Sequence, residues 1–156
     1  MPATRTSLDI MPSTFSMKTM NAIHRAMIAV TGGRAGWNLR GMPVLELTTT
    51  GRRSGEPRTS MLTSPLRLHG DEVVVASRGG DDAHPAWLLN LEANPNVLVA
   101  VEGGEPLPRT ARVLEGAERE NAWELIVERH PHYAGYQRKT TRTIPLVVLE
   151  RPTEAP

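Results

Sequence analysis

The sequence predicts an α+β fold: a small, closed, mostly antiparallel β-barrel of about six strands with helices on its periphery. Three observations carry that prediction. The hydrophobic pattern changes from helical spacing to strand-like runs at Val44. Turn formers then cut the chain into short pieces, with 13 Gly and 13 Pro. A sheet this short and this apolar hides its edges by curling on itself. At 156 residues the chain holds one core and little room for a second.

Residues 1–13, with Pro2 and Pro12, read as a poorly ordered tail. Residues 14–31 read as a helix capped by Ser13 or Thr14, with Met20, Ile23, Met27 and Val30 on one face. Lys18 and Arg25 flank that stripe, and Gly32-Gly33 ends it. The helix either docks on the domain or lies in a lipid interface, which Met-rich faces with basic flanks can do.

The barrel domain is expected over residues 43–151. Residues 44–50 form a β-rich run ending at Gly51. Residues 58–68 alternate, with Leu62, Leu66 and Leu68 opposite Thr63 and Arg67. His69-Gly70-Asp71 turns the chain into a strand over 72–77. Pro85 opens a helix with Trp87, Leu88 and Leu91 on its apolar face, and Asn94-Pro95 closes it. Strands follow at 97–101 and 109–114. An amphipathic helix at 117–129 buries Ala122, Trp123, Ile126 and Val127. Residues 131–140 read as a polar, Tyr-containing connection. The apolar run 144–149 reads as a buried strand.

Composition excludes several chemistries. With no cysteine there is no disulfide, thiolate nucleophile or thiolate metal site, which suits a cytoplasmic protein. A net charge of +1 exerts little long-range pull on nucleic acid or membrane. No apolar run reaches the roughly 18 residues that span a bilayer, and no secretory signal opens the chain. The histidines (His24, His69, His84, His130 and His132) show no metal-ligand pattern. The G-x-S-x-G elbow, the P-loop and the G-x-G-x-x-G fingerprint are absent. What remains is chemistry in which a cofactor performs the hard step and the protein positions it.

Two stretches suit that role. In Thr48-Thr49-Thr50-Gly51-Arg52-Arg53-Ser54-Gly55-Glu56-Pro57-Arg58-Thr59, three guanidiniums crowd one loop with a single acid. The loop is either a solvated hairpin or a concave site for phosphate or carboxylate. In the second, Ala76-Ser77-Arg78-Gly79-Gly80, the glycines let a flat ligand approach the backbone. The helix start at Pro85 adds a partly positive end. Trp87 is either core or groove support.

These stretches, with His84-Pro85-Ala86-Trp87, Asn90-Leu91 and Ala93-Asn94-Pro95, resemble the deazaflavin-dependent nitroreductases, split-barrel oxidoreductases that use coenzyme F420. The likeness continues through His130-Pro131-His132-Tyr133-Ala134-Gly135-Tyr136-Gln137 and Arg142-Thr143-Ile144-Pro145-Leu146 to Glu150. The resemblance implies a split β-barrel related to FMN-binding folds. It implies that Arg53 and Arg58, with Arg52 beside them, hold the phosphate and acidic tail of the coenzyme. Ala76, Ser77 and Arg78 line the same groove, Trp87 supports it, and Met61 and Thr63 lie along the ring system. Tyr133 and Tyr136 face the substrate. The chain departs from the family where His130 replaces a third Tyr, where Arg53 and Arg78 replace Lys, and where Thr63 replaces an aromatic residue.

The implied reaction is hydride transfer from the reduced deazaflavin to a quinone, a nitroaromatic or a similar small acceptor. Solvent, Tyr133, Tyr136 or His130 would protonate the product. For the two tyrosines, packing on a short helical turn is the competing role. The alternative function is a carrier that binds the deazaflavin, FMN or haem without turnover, where His132 or His84 would matter. Nucleic-acid binding is disfavoured because no aromatic residue is interleaved with the arginines. The resemblance also admits a homodimer.

Overall fold

The computed structural model describes residues 37–153. The tail and the helix expected over residues 1–31 lie outside them. Eight strands form the sheet: β1 (Asn38–Leu39), β2 (Met42–Thr50), β3 (Pro57–Thr63), β4 (Leu66–Leu68), β5 (Asp71–Val75), β6 (Asn96–Val101), β7 (Leu107–Val113) and β8 (Leu146–Glu150). Three helices accompany them: α1 (Ala86–Ala93), α2 (Gly116–Arg129) and α3 (His132–Arg138).

The strands run in the order β1-β2-β6-β7-β8-β5-β4, and β3 lies on the other edge of β2 from β6. Every pairing is antiparallel. Among the described residues β3 pairs only with β2, and β4 only with β5. Among the described residues the curled sheet therefore ends at β3 and β4, and β3 comes near β5 without a ladder between them. This is the split of the expected split barrel.

Period-two alternation sends neighbouring residues to different cores. Leu45, Leu47, Val74, Val147 and Leu149 join one cluster with Trp87, Leu88 and Leu91 of α1. Met42, Val73, Val75, Leu146 and Val148 join another with Ala122 and Ile126 of α2 and Tyr133 of α3. Strands β5 and β8 are thus buried on both faces, which explains the unbroken apolar run 144–149. The His69-Gly70 turn has φ of 52° and 84°, the two left-handed residues that a twisted two-residue hairpin needs.

The structure corrects the expected elements in three places. Among the described residues there are eight strands rather than about six, because β1 has only two residues and the run 58–68 breaks at Ser64-Pro65. Pro65 has no N–H to continue a ladder. Ser64 turns the chain there, donating N–H to the Pro43 carbonyl at 3.0 Å and its hydroxyl to the Leu66 carbonyl at 3.1 Å. Third, the connection at 131–140 contains α3, whose buried Tyr133 holds it to the core.

Candidate functional site

The β2–β3 hairpin closes with Gly51 N–H on the Glu56 carbonyl and Gly55 N–H on the Gly51 carbonyl, both at 2.8 Å. A side chain at Gly51 would stand 2.6 Å from Ser54 Oγ and 3.2 Å from the Glu56 carbonyl oxygen, so any larger residue there would push Ser54 aside. Arg52, Arg53 and Arg58 are exposed at this end. Arg58 Nη2 donates to Ser54 Oγ at 3.4 Å. Asn90 on α1, only 5% exposed, pins the loop. Its Oδ1 accepts from Arg52 N–H at 3.1 Å and Arg52 Nη1 at 3.4 Å, while Nδ2 donates to Thr49 Oγ1 at 3.2 Å.

Register divides the residues of β3. Arg58, Ser60 and Leu62 lie opposite Thr49, Leu47 and Leu45, on the face of the first core. Met61 and Thr63 lie opposite Glu46 and Val44, on the other face. A ligand flat against one face cannot meet all of them. A ligand across the edge of β3 away from β2 borders both faces.

Facing that rim, Ala76 and Ser77 are buried, and Arg78, Gly79 and Gly80 follow with φ of 46°, 66° and 88°. Three successive left-handed residues make a sharp concave turn. Arg78 Nε lies 3.6 Å from Asp81 Oδ2. A side chain at Gly80 would lie 2.8 Å from the Tyr136 carbonyl oxygen and 2.9 Å from Lys139 Cβ, so this turn is packed directly on α3.

At the other end of β3, the Tyr133 and Thr63 hydroxyls are 3.1 Å apart, and Tyr133 OH lies 3.6 Å from Met42 Sδ. The His132 ring lies over Tyr133, with centroids 4.2 Å apart, and Tyr136 stands 5.8 Å from Tyr133 in an edge arrangement. Burial pushes the Tyr133 phenol up and holds the His132 imidazole down, the latter helped by Arg40 and His130. His130 lines a cleft of about 520 Å³ with Arg67, Glu72 and Arg129.

The raised phenol has a measurable consequence. Folded Tyr133 keeps its proton to higher pH than the unfolded chain, where the ordinary value is 10.0. Its contribution to stability is therefore complete below about pH 10 and is lost as pH rises through the folded value. Urea midpoints of wild type and Tyr133→Phe should converge as pH rises above 10; parallel curves would contradict this.

The structure thus brings the expected residues into three neighbourhoods along the split. The arginine hairpin lies at one end of β3, Tyr133 and Tyr136 on α3 at the other, and residues 76–80 opposite. Trp87 belongs to the core at 7% exposure, supporting from beneath. Sequence reasoning missed Asn90 and Arg142 as organising residues. A polar residue inside the apolar stripe Trp87-Leu88-Leu91 was a visible signal for Asn90; nothing local marks Arg142. Among the described residues no His, Asp or Glu group could hold a metal, and no helix is long and apolar enough to cross a membrane.

The donor set fits a deazaflavin coenzyme. Three exposed guanidiniums with hydroxyls beside them suit its anionic tail.

Comparison with known proteins agrees. Residues 20–151 match the family described as F420H(2)-dependent quinone reductase. An F420H(2)-dependent quinone reductase of Mycobacterium tuberculosis is 39% identical over 134 residues, covering 83% of this chain and 88% of that protein. A solved F420-H2 dependent reductase is 49% identical with a TM-score of 0.61, covering 69% of this chain and 94% of the other. A structure described as a domain-swapped dimer is 41% identical with a TM-score of 0.63, covering 89% and 99%. The chain belongs to the F420H(2)-dependent quinone reductase family and is an oxidoreductase that depends on reduced coenzyme F420.

Proposed function

We propose that the acceptor is a quinone or a similarly flat, electron-poor molecule such as a nitroaromatic, reduced at the α3 end of the split. The observation that supports this is the placement of an arginine-rich hairpin and a tyrosine pair at opposite ends of one strand, β3. Coenzyme F420, when bound, supplies a hydride from C5 of its reduced ring.

Arg52, Arg53 and Arg58 would hold the anionic tail of the coenzyme by charge-assisted hydrogen bonds. Ala76, Ser77 and Arg78 would border the ring from the opposite rim, and Met61 and Thr63 from β3. Tyr133 is buried with its hydroxyl against Thr63 and Met42, and would hold α3 in place beside the acceptor. Tyr136 and His130 stand close enough to the ring cluster to contribute, as contact and as proton source. Holding donor and acceptor in register replaces a chance encounter and can lower the barrier by roughly 7–11 kcal/mol in well-oriented systems. The absence of cysteine suits a cytoplasmic setting. The expected assembly is a dimer, as described for one similar structure; sedimentation decides it.

The test is oxidation of reduced coenzyme F420 by the full chain with menadione and with a nitroaromatic in turn. Turnover with menadione supports the proposal. Tight coenzyme binding with no turnover by either acceptor would make the protein a carrier. Tyr136→Phe should lower kcat several-fold and leave coenzyme affinity unchanged; the reverse pattern removes Tyr136 from the acceptor side.

A further inference from the structure

We infer that Arg142 is a positioning residue: with Thr140 and Gln137 it ties the Ala76–His84 segment to α3, and so sets the spacing between the coenzyme rim and the acceptor end. The inference rests on the proposed placement of the two substrates.

The guanidinium makes four hydrogen bonds to one segment. Nη2 donates to the Ala76 carbonyl at 3.1 Å and the Ser77 carbonyl at 3.0 Å, and Nε to the Asp81 carbonyl at 2.8 Å. Nη1 lies 3.1 Å from His84 Nδ1. None of these acceptors is a carboxylate. A planar fork of donors has instead been fitted to backbone carbonyls of a turn that no sheet ladder holds. The turn packs on α3 at Gly80, and the guanidinium adds directional bonds that fix where its carbonyls stand.

The other side of the tie is equally specific. Gln137 lies on α3 one residue after Tyr136. Its Nε2 donates to the Arg142 carbonyl at 2.7 Å, and its Oε1 accepts from Ile144 N–H at 3.0 Å. Arg142 N–H donates to Thr140 Oγ1 at 3.3 Å, and that hydroxyl donates to Asp82 Oδ1 at 2.7 Å. The chain of bonds therefore runs from the tyrosine helix, through residues 140–142, into the rim that faces β3. Hydride transfer is steep in distance, and an error of about 1 Å costs on the order of a hundred-fold. A residue that fixes this spacing acts on the chemical step without touching either reactant.

Lysine keeps the charge but offers one compact ammonium, which cannot serve four acceptors spread over nine residues. Arg142→Lys should lower kcat by about ten-fold while the acceptor KM changes by less than about three-fold. In the coenzyme-free chain, amides of residues 76–84 should exchange hydrogen faster, with β2 and β8 unchanged. Gln137→Leu should act on the same quantity, and the double variant should lose little more than the worse single one. Wild-type kcat or wild-type exchange at 76–84 in Arg142→Lys overturns the inference, as does faster exchange across the whole sheet. Should Arg142→Lys not fold, Thr140→Val must show the same local exchange pattern, and unchanged exchange there overturns it. A wild-type chain that never oxidises reduced F420 would sink the reading of the site, while the exchange comparison still decides whether the tie exists.

Discussion

Asn90→Leu is expected to lower the unfolding free energy by about 3 kcal/mol, the largest single-residue effect on stability foreseen at the site. The side chains are similar in size, so the cost is not a cavity. It is the loss of three hydrogen bonds at a position 5% exposed. Thr49 Oγ1, on a residue 2% exposed, loses its donor and keeps only a long bond to the Arg58 carbonyl at 3.4 Å. A buried polar group left unpaired costs about 1–3 kcal/mol. The same substitution releases Arg52 from α1, so coenzyme affinity should fall as well. Urea denaturation and coenzyme titration measure both quantities. A stable variant, or one that loses stability and binds normally, would show that Asn90 does not hold the hairpin in its binding form.

Arg58→Ala should weaken coenzyme binding by about 2 kcal/mol, roughly 30-fold, with stability nearly unchanged. Arg58 is exposed, and its hydrogen bond to Ser54 is a surface bond of 3.4 Å. Its value arises when an anion covers it and water leaves. Arg58→Lys should fall between the two, because an ammonium keeps the attraction and loses the two-pronged geometry. Raising salt should narrow the gap between wild type and alanine variant. Equal affinities at low salt would move the anion-binding role to other residues.

Much of this fold was legible along the chain because its signals are local. A β-rich run marked β2, alternation marked β3 and β4, an unbroken apolar run marked β8, the His69-Gly70 turn marked a hairpin, and Pro85 with Asn94-Pro95 bounded α1 to within a residue. Helix α3 was legible only as a short helical turn suggested by the three-residue spacing of Tyr133 and Tyr136. Gly135, two histidines and a proline at its start give no helical stripe, and Tyr133 and Tyr136 hold it by packing against β-strand residues far away in sequence. The break after Thr63 was written in Pro65 and lost in the apolar alternation around it. The site was half legible. A dense group of arginines is visible in sequence, whereas the faces of β3 appear only once its register against β2 is known. Arg142 serves carbonyl groups about sixty residues away, and backbone acceptors leave no trace in side-chain identity.

The outer edges of β3 and β4, which pair with no other strand among the described residues, also bear on how the protein behaves before it meets its coenzyme. Main-chain groups on a bare strand are adhesive, and a neighbouring chain can satisfy them as well as a ligand can. Loading with deazaflavin should therefore protect the protein against self-association in addition to enabling catalysis, and hosts that do not make the cofactor should yield more aggregate.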